Sequence, residues 1–202
     1  LSMEYMTDIK VIDNVLDEDY FFQLQSHMLS NNWPWYFNSN ITNGESVDNS
    51  TNYGFFNCII KQREERTIGP FGTSVIPRPY NVDTDVNIDL LNAFISTVSS
   101  HVGSKQIIRM RMDMTVNRGQ SYLNEPHVDL TYPHTTTIFY VNDVDGNTLI
   151  YDQMNGDDSE LTIKQEIQPK ANRLIVFDGL HLHTGHTPTT CNQRVLINSN
   201  WA

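Results

Sequence analysis

Two stretches of the chain carry side chains fit for metal chemistry. The first is His127-Val-Asp129, an imidazole and a carboxylate two positions apart. On a strand, residues i and i+2 point the same way, so both would reach one metal ion. The second is Leu180-His-Leu-His-Thr-Gly-His-Thr-Pro188, which holds His181, His183 and His186. Two histidines and one carboxylate on a common face, with other coordination positions open, form the donor set of non-haem Fe(II) oxygen chemistry. His127, Asp129 and one of the three later histidines could supply it; solvated loop histidines are the plainer alternative. Arg194 then opens the run Arg194-Val-Leu-Ile-Asn-Ser-Asn-Trp201. A guanidinium in an otherwise apolar strand is costly without an anionic partner. It suits a carboxylate gripped by two N–H groups, and the alternative is a surface arginine on an edge strand.

These residues need rigid elements to bring them together. From Gln106 onward the apolar period is two, with Ile108, Met110, Met112, Met114 and Val116 alternating with Arg109, Arg111, Asp113 and Thr115. Short strands are expected near 126–130, 134–142, 147–152, 161–168, 172–177 and 193–200, separated by Asn, Asp, Gly and Pro. Upstream, Ile9 to Ile12 reads as a strand. A helix follows, with Asp17 as N-cap and Tyr20, Phe21, Leu24 and Met28 as its apolar stripe. A second helix is expected over Asp85 to Ser100, stopped by Gly103. Between the helices lie a strand-like aromatic run, Trp33 to Phe37, a polar loop from Asn38 to Tyr53, a strand over 55–60, and an irregular stretch from Gln62 to Asn81. The fold class is α+β, mainly β: a sandwich or barrel backed by N-terminal helices.

The 202 residues fit one domain, with no repeat or linker to divide them. Lys and Arg total 13 against 24 Asp and Glu, a net charge of −11, which disfavours sequence-blind nucleic-acid binding. Two cysteines, Cys58 and Cys191, cannot build a disulfide framework. No apolar run is long enough for a membrane span, and LSMEYMTDIK has no apolar leader core, so a soluble, cytoplasmic protein is expected. The sequons at Asn40 and Asn49 then read as chance matches.

Taken in order, His127-Val-Asp129, Thr137-Ile-Phe-Tyr-Val-Asn142, Asp145-Gly-Asn-Thr-Leu-Ile-Tyr151, Pro169-x2-Asn-Arg-Leu-Ile-Val-Phe177, His183-Thr-Gly-x2-Pro188 and Arg194 resemble the Fe(II)/2-oxoglutarate-dependent oxygenases, in particular the prolyl 4-hydroxylase-like group. The resemblance runs from roughly Ile107 to Trp201. It implies a double-stranded β-helix, or jelly roll, over about 106–202. It also implies His127, Asp129 and His183 as iron ligands, and Arg194 as the partner of the distal 2-oxoglutarate carboxylate. Tyr140 would assist Arg194, or pack as an ordinary core aromatic. The expected activity is hydroxylation of a C–H bond in a small-molecule or peptide substrate, with release of succinate and CO2 and ascorbate as an accessory reductant. Peptidyl proline, a free amino acid and a small metabolite are all open, as is the oligomeric state. His183 is preferred by its spacing from Phe177 and Arg194, with His181 the rival. His27 and His134 read as surface or helix residues; the arginines at 63, 66, 109, 111 and 118 read as solvated, the alternative being a cluster at the mouth that favours an anionic substrate; and Trp33 to Phe37 read as core, the alternative being a substrate wall with the loop from Asn38 to Tyr53 as its lid. A cupin-type metal isomerase or binding module is the competing function. It lacks a Glu at the required spacing (Thr187 stands there) and leaves Arg194 without a task.

Overall fold

The computed structural model describes residues 8–41, 53–69, 72–81, 86, 88–104 and 106–202, with the backbone alone over 62–81. Its elements run β1 (Lys10–Asp13), α1 (Glu18–Met28), β2 (Tyr36–Asn38), β3 (Gly54–Gly69), β4 (Gly72–Asn81), α2 (Ile88–Val102), β5 (Ile107–Val116), β6 (Thr135–Tyr140), β7 (Thr148–Met154), β8 (Ile163–Ile167), β9 (Arg173–Asp178), β10 (His181–Gly185) and β11 (Gln193–Trp201). The large sheet has the order β1-β9-β6-β11-β5-β3-β2, with β4 paired to β3; the small one is β10-β7-β8. Every pairing is antiparallel.

Alternation along the central strands builds three layers. Phe139 of β6, Leu174 and Val176 of β9, and Val195 and Ile197 of β11 join Leu24 and Met28 of α1 and Leu91, Phe94 and Val98 of α2 in one core. Their neighbours Ile138, Tyr140, Ile175, Phe177 and Leu196 face the other way. They meet Ile150 of β7 and Ile167 of β8 between the sheets. A one-residue slip of any of these strands would exchange the two cores, so the register is strongly specified. Each such side chain contributes roughly 1.5–3 kcal/mol by burial.

Local signals set the helix ends. Asp17 Oδ1 accepts from the backbone N–H groups of Asp19 and Tyr20 at 3.1 and 3.2 Å, satisfying two otherwise orphaned donors. Gly103 ends α2 at φ 77°, its N–H donating to Ser99 O.

The structure departs from the sequence reading in several places. Residues 62–69 and 72–81 are not irregular: β3 runs on past its contact with β5 and pairs along its length with β4. Pro77 and Pro79 are tolerated because β4 is an edge strand, and two prolines of the same parity put both missing N–H groups on its unpaired side. No strand covers 126–130. Pro126 interrupts pairing there, and His127 makes an isolated bridge to His183. β10 was not foreseen, because its apolar signal is diluted by histidine, threonine and glycine. Of the aromatic run, only Tyr36–Asn38 is strand; Trp33 is core, whereas Phe37 is 62% exposed. The second helix begins at Ile88, and position 85 lies outside the described residues, as do 42–52 of the polar loop and the Asn49 sequon. No helix among the described residues is long and apolar enough to cross a membrane.

Candidate active site

The segment holding His127 and Asp129 is a loop pinned to β10 rather than a strand. His127 and His183 exchange backbone hydrogen bonds, N–H to O at 3.0 Å in both directions, and their rings lie 4.9 Å apart. Each imidazole is oriented the same way: Nδ1 of His127 meets Glu125 O, and Nδ1 of His183 meets His181 O, both at 3.1 Å. A carbonyl only accepts, so Nδ1 carries the proton and Nε2 keeps its lone pair, the arrangement a metal ligand needs. The His183 Nε2 atom is buried with no hydrogen-bond partner and stands 3.8 Å from Asp129 Oδ2. Burial pushes the His183 imidazole down to about 4, so it is neutral near pH 7.

Ligand atoms of His127, Asp129 and His183 all lie within 4.8 Å of one another, the only such group of three His, Cys, Asp or Glu among the described residues. His181 is also buried, but a register shift in β10 between the two histidines keeps it out of that group. His186 instead meets Ser121 Oγ through its Nδ1 at 3.1 Å.

Asp129 is 2% exposed and is the anchor of a polar network. Arg109 Nη2 approaches its Oδ1 to 2.5 Å, while Asn198 and Asn200 each donate to Oδ2 at 3.0 Å. Burial alone would raise this carboxyl; the Arg109 guanidinium overrides it and holds Asp129 well below the usual carboxylate range. A carboxylate has about four acceptor positions, and three are filled, which leaves one for an ion. Two available Nε2 lone pairs and this remaining carboxylate position fit a divalent first-row metal.

Arg194, at 6% exposure, has no carboxylate within ion-pair distance among the described residues. Its Nη2 donates to Thr148 Oγ1 at 2.7 Å, and Nε is buried without a partner. Burial lowers the guanidinium's affinity for its proton. Tyr140 is fully buried, bonds the same Thr148 Oγ1 at 2.7 Å, and offers its ring 5.7 Å from the guanidinium carbon. Two glycines make the space: a Cβ on Gly146 (φ 90°) would sit 2.7 Å from His186 O and 3.3 Å from Arg194 Cδ, and one on Gly185 would sit 3.1 Å from Arg194 Nη2. One cleft joins Arg194 and Thr148 to His127 and His183.

Several residues read as ordinary are part of this region. Arg109 and Arg111 are not solvated; the polar side of β5 faces into the sandwich, with Arg111, Asp113 and Thr115 lining the cleft. His134 is buried at 5% exposure, its Nδ1 on Tyr132 O at 2.7 Å, and only a glycine at 179 leaves room for its ring. His27, by contrast, is in the last turn of α1, its ring edge-on to Trp33. Asn198, Asn200 and Thr148 were missed altogether. The available signal was that Arg194, Asn198 and Asn200 share one face of β11.

No family model and no curated sequence matches the chain. Solved structures do. An oxidoreductase of the 2OG-Fe(II) oxygenase family from Burkholderia pseudomallei aligns over 96% of this chain and 84% of its own, at 13% identity and TM-score 0.64. The non-haem α-ketoglutarate-dependent epimerase SnoN of nogalamycin biosynthesis aligns over 96% and 77%, at 11% identity and TM-score 0.61. A prolyl-4-hydroxylase of Pseudomonas putida aligns over 96% and 91%, at 10% identity and TM-score 0.56. The expected jelly roll is therefore present: the chain has the fold of the 2OG-Fe(II) oxygenases.

Proposed function

We propose that the chain is an Fe(II)- and 2-oxoglutarate-dependent oxygenase built as one domain over 1–202, hydroxylating a C–H bond of a small-molecule or peptide substrate. The observation that carries this reading is the convergence in one cleft of three ligand atoms, from His127, Asp129 and His183, with the buried guanidinium of Arg194: a donor set for a divalent cation beside a partner for a carboxylate. Bound Fe(II) and 2-oxoglutarate would supply O2 activation coupled to oxidative decarboxylation of the cosubstrate to succinate and CO2.

The protein's part is positioning and charge balance. His127 and His183 present Nε2 atoms whose direction is fixed by backbone carbonyls. Asp129 is kept ionised by Arg109 and oriented by Asn198 and Asn200. Arg194, steadied by Thr148 and shielded by Tyr140, holds the distal carboxylate by charge-assisted hydrogen bonds in a site with little water to compete. The apolar floor formed by Ile138 and Leu196 keeps that end of the cleft dry.

The test is succinate release from 2-oxoglutarate with and without Fe(II). Iron-dependent succinate is expected. Arg194→Gln is expected to raise the KM for 2-oxoglutarate roughly a hundredfold, the loss of a charge-assisted pair, with metal binding retained. Iron-independent turnover, or an unchanged KM in the variant, would refute the assignment.

A further inference from the structure

A second charged pair faces the cleft and is neither among the three metal-ligand candidates nor the guanidinium assigned to the cosubstrate. Arg111 and Asp113 stand two apart on β5, line the cleft together with His127 and His183, and are 15% and 18% exposed. Arg111 Nε forms an ion pair with Asp113 Oδ1 at 2.7 Å. Among the described residues, the two terminal nitrogens of Arg111 and the second oxygen of Asp113 make no hydrogen bond. The pair therefore offers the cleft at least two donors and an acceptor, side by side and with no net charge.

We propose that Arg111 and Asp113 bind the head group of a free α-amino acid, carboxylate on Arg111 and ammonium on Asp113. Charge balance selects this class. A simple anion drawn to Arg111 would lie against Asp113, and a simple cation drawn to Asp113 would lie against Arg111, each leaving a half-buried charge opposed. A zwitterion satisfies both and keeps the sum at zero. Its two charged groups are bonded to one carbon, which matches a pair of side chains already in contact. Peptide backbone carries neither charge and would leave both groups half-satisfied. Ile41, Ile138 and Leu196 line the same cleft and offer the amino acid's side chain apolar contact. The inference rests on the oxygenase reading only in calling this amino acid the substrate; the head-group site itself is tested without turnover.

Ligand-detected NMR on the intact chain, with redox-inert Zn(II), would screen free L-amino acids against their N-acetyl and C-amide derivatives. At least one free amino acid is expected to bind, and blocking either end should weaken it roughly tenfold or more, the worth of one charge-assisted hydrogen bond. Asp113→Asn should erase the penalty for N-acetylation and Arg111→Gln the penalty for amidation. The comparison of derivatives on the unaltered chain stands even if a variant fails to fold. Binding of 2-oxoglutarate, lost in Arg194→Gln, is read on the same samples. If 2-oxoglutarate binds but no free amino acid does, or blocked and free forms bind alike, the head-group assignment is overturned and the oxygenase reading stands. If amino acids bind selectively and 2-oxoglutarate does not, the head-group site stands and the oxygenase reading falls.

Discussion

At Asp129, one guanidinium and two side-chain amides converge on a carboxylate removed from solvent. Removing one member of a buried ion pair leaves the other charge uncompensated, which is more damaging than never having had the pair. Arg109→Leu is therefore expected to lower stability of the metal-free chain by roughly 3 kcal/mol, a little below the fully buried case because Arg109 keeps 16% exposure. Denaturant unfolding would measure it; a change within roughly 0.5 kcal/mol, the range of ordinary surface substitutions, would mean that the contact is idle. His183 gives a pH signature at the same scale. Burial lowers it from 6.5 to about 4 in the fold. The unfolded chain thus binds its proton more readily, and no penalty exists above about 6.5, whereas stability falls as pH drops from there toward about 4. His183→Gln should reduce the fall in thermal stability of the metal-free chain across that window, leaving the part contributed by buried His134. An unchanged slope would show that this imidazole is not desolvated as described.

Among the elements, the turn between β6 and β7 shows how backbone geometry supports the site. Gly146 takes φ 90° under His186 O and against the stem of Arg194. Gly146→Ala should destabilise by roughly 1–3 kcal/mol through left-handed strain and crowding, and should weaken 2-oxoglutarate binding along with it. Stability lost with cosubstrate affinity intact would uncouple the turn from Arg194. The central strands were legible in the sequence because their two cores alternate residue by residue, as at Ile138 and Phe139 or Ile175 and Val176. The ligand candidates were legible because His-x-Asp, His183 and Arg194 fall at distinctive separations. What escaped was set by tertiary context. The polar side of β5 looks like a solvent face until a second sheet covers it, so Arg109 and Arg111 read as solvated. Asn198 and Asn200 are unremarkable polar positions until Asp129 arrives from a distant loop. The pairing of β3 with β4 was hidden by the prolines of β4, which speak against a strand unless the edge position is known.

For the whole molecule, the helix-backed large sheet and the small sheet hold the loop at His127 against β10, so metal binding and folding stability are linked. A redox-inert ion such as Zn(II) at a hundredfold excess over its Kd should add about 2.7 kcal/mol, read as a higher Tm that chelation reverses. Absence of any shift would indicate that the three ligand atoms do not act together. The most direct measurement is an anaerobic titration of the Fe(II)-loaded chain with 2-oxoglutarate, followed by visible absorption. A weak charge-transfer band is expected to grow and saturate at one cosubstrate per chain, and to be missing from an Asp129→Ala variant whose near-UV circular dichroism reports an intact fold. A folded, iron-exposed chain that develops no band, or an Asp129→Ala variant that keeps it, would contradict the assignment of His127, Asp129 and His183 as the metal-holding triad.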